Sequence, residues 1–139
     1  MPRSPAVLSA VALGGALGSV ARYLVAVGAA AGGEPTFPWA TLLVNVLGSW
    51  AIAFYASMTG PEGPLFASLE TRHFFTTGLC GGFTTFSIFS LESLLLLEEG
   101  HLLLAGAYVA ASLFLWVPAA LAGRRAAGRL LARRENPQL

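Results

Sequence analysis

The stretch GLCGGFTTFSIF, residues 78–89, brings together groups that could contact an ion in the middle of an apolar segment. Each of its glycines costs roughly 1 kcal/mol against alanine in a helix, and its threonine hydroxyls compete for backbone hydrogen bonds. Carbonyls freed where a helix is broken can coordinate a hard cation such as Na⁺, and the positive edge of a phenylalanine ring can face an anion. From physics alone, the stretch predicts either a site for a small ion or a break that serves packing only.

The elements that must position this stretch are four sequence segments without charged residues, called charge-free windows below. The chain has 139 residues, of which 55% are hydrophobic and 11% charged, about half the charge of an ordinary soluble domain. Each window is apolar all round, which excludes a soluble helical domain with amphipathic faces. We therefore predict an all-α integral membrane protein with one domain and a third helix broken at its centre. Its transmembrane helices are expected at about residues 5–30, 38–59, 71–98 and 102–123, followed by a basic tail at about 124–139.

The arginines lie almost entirely on one side of the predicted membrane domain. With four spans, seven of the eight arginines fall on the side that holds both termini, and the loops on the other side hold three glutamates and no arginine. Positively charged segments stay in the cytoplasm, so both termini are predicted to be cytoplasmic, in the plasma or inner membrane of the cell. The basic tail is expected to contact anionic membrane lipid.

The first predicted helix carries Gly14, Gly18 and Arg22 at intervals of four residues, so all three share one face. Small residues at this spacing allow another helix to approach closely. An arginine inside a membrane helix faces protein or water, so a functional role is the first hypothesis for Arg22. The alternative is an arginine that reaches the far interface or caps a helix there. The window is expected to be a retained span, because its apolar part is too long for a cleaved signal peptide.

The second predicted helix carries Thr41, Asn45 and Ser49 in a polar line with the same spacing. Asn45 has two N–H donors, which could face an anion or bridge to a neighbouring backbone. Taken alone, the bridge between helices is favoured. Tyr108 and Ser112 form a similar pair on one face of the fourth predicted helix.

Enzymatic chemistry is not expected from this sequence. It has no aspartate, no lysine and no nucleophile–base motif, and the glycine-rich stretch lacks the strand–turn–helix setting of a dinucleotide site. No basic domain is available to bind nucleic acid. His73 and His101 have no second ligand at a suitable spacing, and Cys80, the single cysteine, cannot form an internal disulfide. A metal site built from side chains is therefore not expected.

Three motifs resemble the Fluc/CrcB family of fluoride channels: GGALGSVARY at 14–23, WATLLVNVLGS at 39–49 and GLCGGFTTFSIF at 78–89. They occur in the family's order on the first three helices, and the chain length and four-span layout match from end to end. The resemblance implies a fluoride-selective ion channel that passively exports cytosolic fluoride and lowers its toxicity. It also implies an antiparallel dimer with two narrow pores and a structural Na⁺ at the dimer interface.

The resemblance also implies roles for individual residues. The backbone carbonyls of Gly81 and Thr84 would hold the Na⁺, so that each chain supplies half of the cation site. Arg22 would have a vestibular or structural role. The residues expected to line the pore and contact fluoride are Asn45, Phe86, Phe89, Ser87, Tyr108 and Ser112.

Two features depart from the family pattern. Ile88 stands where many relatives have threonine or serine, which removes one hydroxyl from the polar track and bears on permeation rate more than on ion identity. The arginine bias favours one orientation, although an antiparallel homodimer needs both. Our hypothesis is that the chain pairs with an oppositely oriented paralogue, and the homodimer is the other possibility.

Two other functions are compatible with four short membrane helices. A small four-helix drug or cation exporter would normally need a carboxylate in its first helix, where this chain has Arg22. A non-conducting structural subunit would explain the faces of small residues without any pore. It would not explain the combination of Asn45, Phe86 and Phe89.

Overall fold

Long apolar helices dominate the structure. In the computed structural model, which describes residues 4–31, 37–60 and 63–135, helix α1 spans Pro5–Ala30 and α2 spans Trp39–Thr59. By length and composition, four helical stretches of the described chain can cross a membrane: Pro5–Ala30, Trp39–Thr59, Leu69–Glu98 and Leu102–Ala132. The prediction of an all-helical protein is thereby confirmed, with four helical stretches that are long and apolar enough to span a membrane.

The third of these spans is built from several pieces. Helix α3 (Leu69–His73) continues as a π-helical segment (Phe74–Cys80) and then as a single turn, α4 (Gly81–Phe83). Helix α5 (Ser87–Glu98) completes the span. Segment 84–86 lies between α4 and α5, and the backbone of its first residue is extended, with φ −83° and ψ 160°. The backbone hydrogen-bonding pattern therefore changes near the centre of the span.

Helix α6 (Leu102–Glu135) is longer than predicted. The charge-free window predicts a fourth helix that ends at about residue 123, where the arginines begin, and a basic tail at about 124–139. Arginine, alanine and leucine are strong helix formers, so the helix continues after its apolar part ends. As far as the described residues reach, the basic segment is an extension of the fourth span. The third span also begins earlier than residue 71, at Leu69.

Helix α1 packs directly against the backbone of the third span. A Cβ atom on Gly14 would lie 2.4 Å from the Phe74 carbonyl oxygen, and one on Gly18 would lie 2.2 Å from the Leu79 carbonyl oxygen. Real side chains do not approach backbone atoms so closely, so both positions require glycine. The spacing of Gly14 and Gly18 in the sequence predicts this close approach correctly.

The buried core lies where α2, α5 and α6 meet. Tyr108 is fully buried there, in one cluster with Phe89 and Leu42. Helix α6 approaches α2 closely at Gly123, where a Cβ atom would lie 2.3 Å from the Trp50 carbonyl oxygen. Many large apolar side chains remain on the outer surfaces of the helices, which suits contact with lipid.

Candidate functional site

Segment 84–86 is held by the side chain of Asn45 on α2. The Asn45 Nδ2 donates a hydrogen bond to the Thr85 carbonyl oxygen at 2.9 Å, and the Thr85 N–H donates to Asn45 Oδ1 at 2.8 Å. Asn45 is only 5% exposed. An unpaired buried peptide group costs about 1–3 kcal/mol, so the amide stabilises Thr85 by replacing its helical partners. The bridge to a neighbouring backbone, which is favoured for Asn45 taken alone, is the arrangement observed.

The other side of the same region is held by Arg22 on α1. Its Nε donates a hydrogen bond to the Gly82 carbonyl oxygen at 3.1 Å. In a continuous α-helix, this carbonyl would accept a hydrogen bond from the N–H four residues later, at Phe86. Arg22 therefore provides a donor to the last turn before segment 84–86. Its charged side chain lies against protein, as expected for an arginine within a membrane span.

Two carbonyl groups near Asn45 have lost the donors that a continuous helix would give them. The Thr85 N–H, which would donate to the Gly81 carbonyl, donates to Asn45 instead. The Ile88 N–H, which would donate to the Thr84 carbonyl, donates to the Thr85 hydroxyl at 3.2 Å. Gly81 and Thr84 are the residues whose carbonyls the sequence resemblance assigns to Na⁺. Both oxygens are free of their helical donors, and carbonyl oxygens suit a hard cation.

Phe86 and Phe89 are in contact but have different surroundings. Their ring centroids are 5.5 Å apart. Phe86 is 73% exposed, whereas Phe89 is 7% exposed. The Phe89 ring centroid lies 5.2 Å from that of Tyr108 and 4.9 Å from that of Trp116. The pair thus leads from the surface of the chain into the core between α5 and α6.

Ser87 and Ser112, both expected from the sequence to contact an anion, lie in contrasting places. The Ser87 hydroxyl, on an exposed residue, lies 3.3 Å from the Thr85 hydroxyl at the start of α5. The Ser112 hydroxyl on α6 is completely buried and has no hydrogen-bond partner among the described residues. Of the two, only Ser87 is therefore accessible from outside the chain.

A hydrogen-bond network that is not predicted from the sequence joins α2, α5 and α6 at Glu92. The Thr41 hydroxyl donates to Glu92 Oε1 at 2.8 Å, and the Tyr108 hydroxyl donates to Glu92 Oε2 at 2.7 Å. The sequence does contain a signal for this network, because Glu92 lies inside the third span and a carboxylate within a membrane needs hydrogen-bond partners. Tyr108 gives its only hydroxyl proton to this carboxylate, so an anion could use that proton only by displacing Glu92.

A cavity of about 270 Å³ lies between α2 and the third span. It is bordered by Asn45, Gly81, Thr84 and Phe86, which the sequence predicts for ion contacts, and by Trp116 from α6. The structure therefore brings the residues predicted for the cation next to two of those predicted for the anion. The predicted residues that do not border the cavity are Arg22, Ser87, Phe89, Tyr108 and Ser112.

Comparisons with known proteins identify the family. The family model described as "CrcB-like protein, Camphor Resistance (CrcB)" matches residues 9–124. "Fluoride-specific ion channel FluC 1" of Rhodopseudomonas palustris is 48% identical over 125 residues, which cover 90% of this chain and 89% of the relative. "Fluoride-specific ion channel FluC" of Opitutus terrae is 50% identical over 117 residues, or 84% of this chain and 89% of the relative. The protein of the same name in Paramagnetospirillum magneticum is 47% identical over 117 residues, or 84% and 91%. The chain therefore belongs to the CrcB-like family.

Proposed function

We propose that this chain is a fluoride-selective ion channel that passively exports cytosolic fluoride and so lowers its toxicity. The relatives are named as fluoride-specific ion channels, not as enzymes, and the similarity covers most of the chain. The observation that carries the proposal is segment 84–86, a non-helical stretch inside a membrane span, with Asn45 and Arg22 bound to the backbone around it. In lipid, such backbone is tolerated only where protein or a water-filled cavity covers it.

The uncovered surface around segment 84–86 supports an antiparallel dimer. Phe86 and Gly81 are exposed, and both border a cavity that also contains the polar groups of Asn45 and Thr84. Lipid cannot satisfy polar groups at this depth. A second chain of opposite orientation would cover the cavity with the same residues and complete two equivalent ion paths. The partner is a second copy of this chain or an oppositely oriented paralogue, in the plasma or inner membrane.

The charge of α6 supports cytoplasmic termini. Arg124, Arg125 and Arg129 lie exposed on the part of the helix that follows its apolar stretch. The positive-inside rule keeps such charges in the cytoplasm, where they would contact anionic lipid. A homodimer would need half of its copies to insert against this bias, which is why pairing with a paralogue belongs to the proposal.

A structural Na⁺ fits the carbonyl groups near Asn45. The Gly81 and Thr84 carbonyls are free of their helical donors, and Na⁺ takes uncharged oxygen ligands of this kind. One chain provides two of these oxygens, so the cation site and the dimer would form together. When bound, the cation would supply the positive charge that holds the facing segments of the two chains together.

Fluoride is small and strongly hydrated, so its passage needs donors that replace water. The positive ring edges of Phe86 and Phe89 and the second N–H of Asn45 offer such contacts. Ser87 offers a hydroxyl at the exposed end, and Ser112 offers one in the core. These contacts are uncharged, which suits conduction, because an ion in a channel must be released as readily as it is bound.

Replacing the two phenylalanines by isoleucine should separate pore function from packing. Phe86→Ile should lower fluoride efflux by roughly tenfold with little change in thermal stability, because the ring is 73% exposed. Phe89→Ile should lower efflux and also destabilise the protein by about 1–3 kcal/mol, because a buried ring leaves its contacts with Tyr108 and Trp116. Efflux from liposomes and thermal unfolding in detergent measure the two effects. Unchanged efflux in Phe86→Ile would remove that ring from the ion path.

Fluoride efflux from liposomes that hold this chain alone tests the proposed function, with chloride efflux as the control. Rapid fluoride loss with chloride retained is the expected result, and it would also show that the chain pairs with itself. If the chain alone is silent, it should conduct after co-reconstitution with a relative of opposite arginine bias. Silence in both preparations would overturn the channel proposal in favour of a non-conducting structural subunit.

A further inference from the structure

Two polar atoms on α6 are buried without a hydrogen-bond partner among the described residues: the Ser112 hydroxyl oxygen and the Trp116 indole Nε1. Together with Tyr108 they are spaced by four residues, so the three side chains lie along one face of the helix. A buried donor left unpaired costs about 1–3 kcal/mol. Such groups are rare in native proteins, and a bound water or ion is one of the arrangements that explains them.

The chemistry of the indole restricts what the missing partner can be. The Trp116 Nε1–H is a donor only, so its partner must be an acceptor, and among small ligands this means an anion or a water oxygen. Tyr108, at the other end of this row, already donates its proton to Glu92. The donors that remain are therefore those of Ser112 and Trp116, about 6 and 12 Å further along the helix from Tyr108. An anion bound to these two donors would also lie further from the negative charge of Glu92 than an anion bound at Tyr108.

Trp116 connects the two regions that the proposed pore must join. Its side chain borders the cavity that also touches Asn45 and Phe86. Its ring also meets the Phe89 ring edge-on, with centroids 4.9 Å apart and planes at 73°. The indole therefore lies between the cavity and the buried aromatic cluster around Phe89.

We propose that the Trp116 indole N–H, with the Ser112 hydroxyl beside it, is an anion-binding site within the proposed fluoride path. The inference rests on the proposed function and adds to it a residue that contacts the ion. Both donor atoms are buried from solvent, so an anion enters only when a neighbouring ring, such as Phe89, moves. A site that opens so little admits a small anion and excludes a larger one such as chloride.

Tryptophan fluorescence tests binding without altering the site. The chain has three tryptophans. Trp39 lies beside Phe37, and Trp50 stacks on Phe54, neither of them at the cavity, so W39F/W50F leaves Trp116 as the only indole. In this full-length variant, sodium fluoride should change the emission of Trp116 saturably, and sodium chloride at equal concentration should not. No response to fluoride, or an equal response to both salts, would overturn the proposal and leave the donors to bound water.

Efflux measurements provide the second test. W116F removes the N–H and keeps an aromatic ring against Phe89, so fluoride efflux should fall by about tenfold or more, as expected for a lost hydrogen bond to an ion. W50F is the matched control and should conduct like the parent chain. Parent-level efflux in W116F, with folding checked by size-exclusion chromatography, would overturn the inference while leaving the channel intact. A silent parent chain whose Trp116 still responds to fluoride would instead count against the proposed channel and support the binding site.

Discussion

Gly18→Ala should abolish fluoride efflux and sharply lower the yield of folded protein, whereas Gly15→Ala should leave both near the level of the parent chain. A Cβ atom at Gly18 would lie 2.2 Å from the Leu79 carbonyl oxygen and 2.7 Å from the Phe83 nitrogen. Both are backbone atoms, so the clash can be relieved only by moving α1 away from the third span. Overpacking of this kind costs typically 1–3 kcal/mol, and more where backbone must shift.

Gly15 provides the control because it lies on the same helix and a Cβ atom there would meet nothing within 4 Å. Moving α1 would also draw the Arg22 Nε away from the Gly82 carbonyl, so the effect of Gly18→Ala reaches segment 84–86. Size-exclusion chromatography and thermal unfolding report the folded protein, and liposome efflux reports conduction. If Gly18→Ala folds and conducts within a factor of about two of Gly15→Ala, α1 can move away from the third span at little cost, and the prediction is wrong.

Asn45→Asp should lower fluoride efflux by at least about 100-fold, equivalent to about 2.7 kcal/mol in the barrier to passage. The substitution places an oxygen where Nδ2 now donates to the Thr85 carbonyl at 2.9 Å, so attraction becomes repulsion. It also brings a negative charge to the cavity beside Thr84 and Phe86, where the proposed path begins. An unpaired buried charge is strongly destabilising in itself, by about 3–5 kcal/mol.

Asn45→Leu separates the two effects, because it removes both hydrogen bonds to Thr85 without adding charge. If Asn45 faces the anion as well as the backbone, Asn45→Asp should conduct less than Asn45→Leu when efflux is normalised to folded protein. Equal efflux in the two variants would restrict Asn45 to holding segment 84–86. Parent-level efflux in Asn45→Asp would remove the residue from both roles.

The spans and the close contact of α1 could be predicted because each depends on a property of one segment. Charge-free windows of sufficient length predict helices in lipid, and the spacing of Gly14 and Gly18 predicts a face that another helix can approach. The partner of each polar face could not be predicted in the same way. Asn45 binds Thr85, which is 40 residues away, and Thr41 binds Glu92, which is 51 residues away. Sequence spacing gives the faces of a helix but not which faces oppose each other.

The length of α6 was missed for a different reason. Charged residues end the apolar window at residue 123, so hydropathy alone predicts a helix that ends there. Helix propensity does not depend on the membrane, and the segment after 123 is rich in arginine, alanine and leucine, which favour helix. The assignment of single residues to Na⁺ or fluoride rests on resemblance. The structure adds a physical reason for the Gly81 and Thr84 carbonyls, which lack their helical donors, and for the Ser112 hydroxyl, which is buried without a partner among the described residues.

The length of α6 makes it a suitable site for attaching a fusion domain for electron cryo-microscopy. Its 34 residues measure about 51 Å, so about 20 Å of continuous helix would project beyond a hydrocarbon layer of roughly 30 Å. A soluble helical domain fused in register at Glu135 would inherit a fixed direction from the membrane domain, and would give a 14.4 kDa protein enough mass for electron cryo-microscopy. In an antiparallel assembly the two fused domains would stand on opposite faces of the detergent micelle. Single particles would then report the relative orientation of the two chains directly.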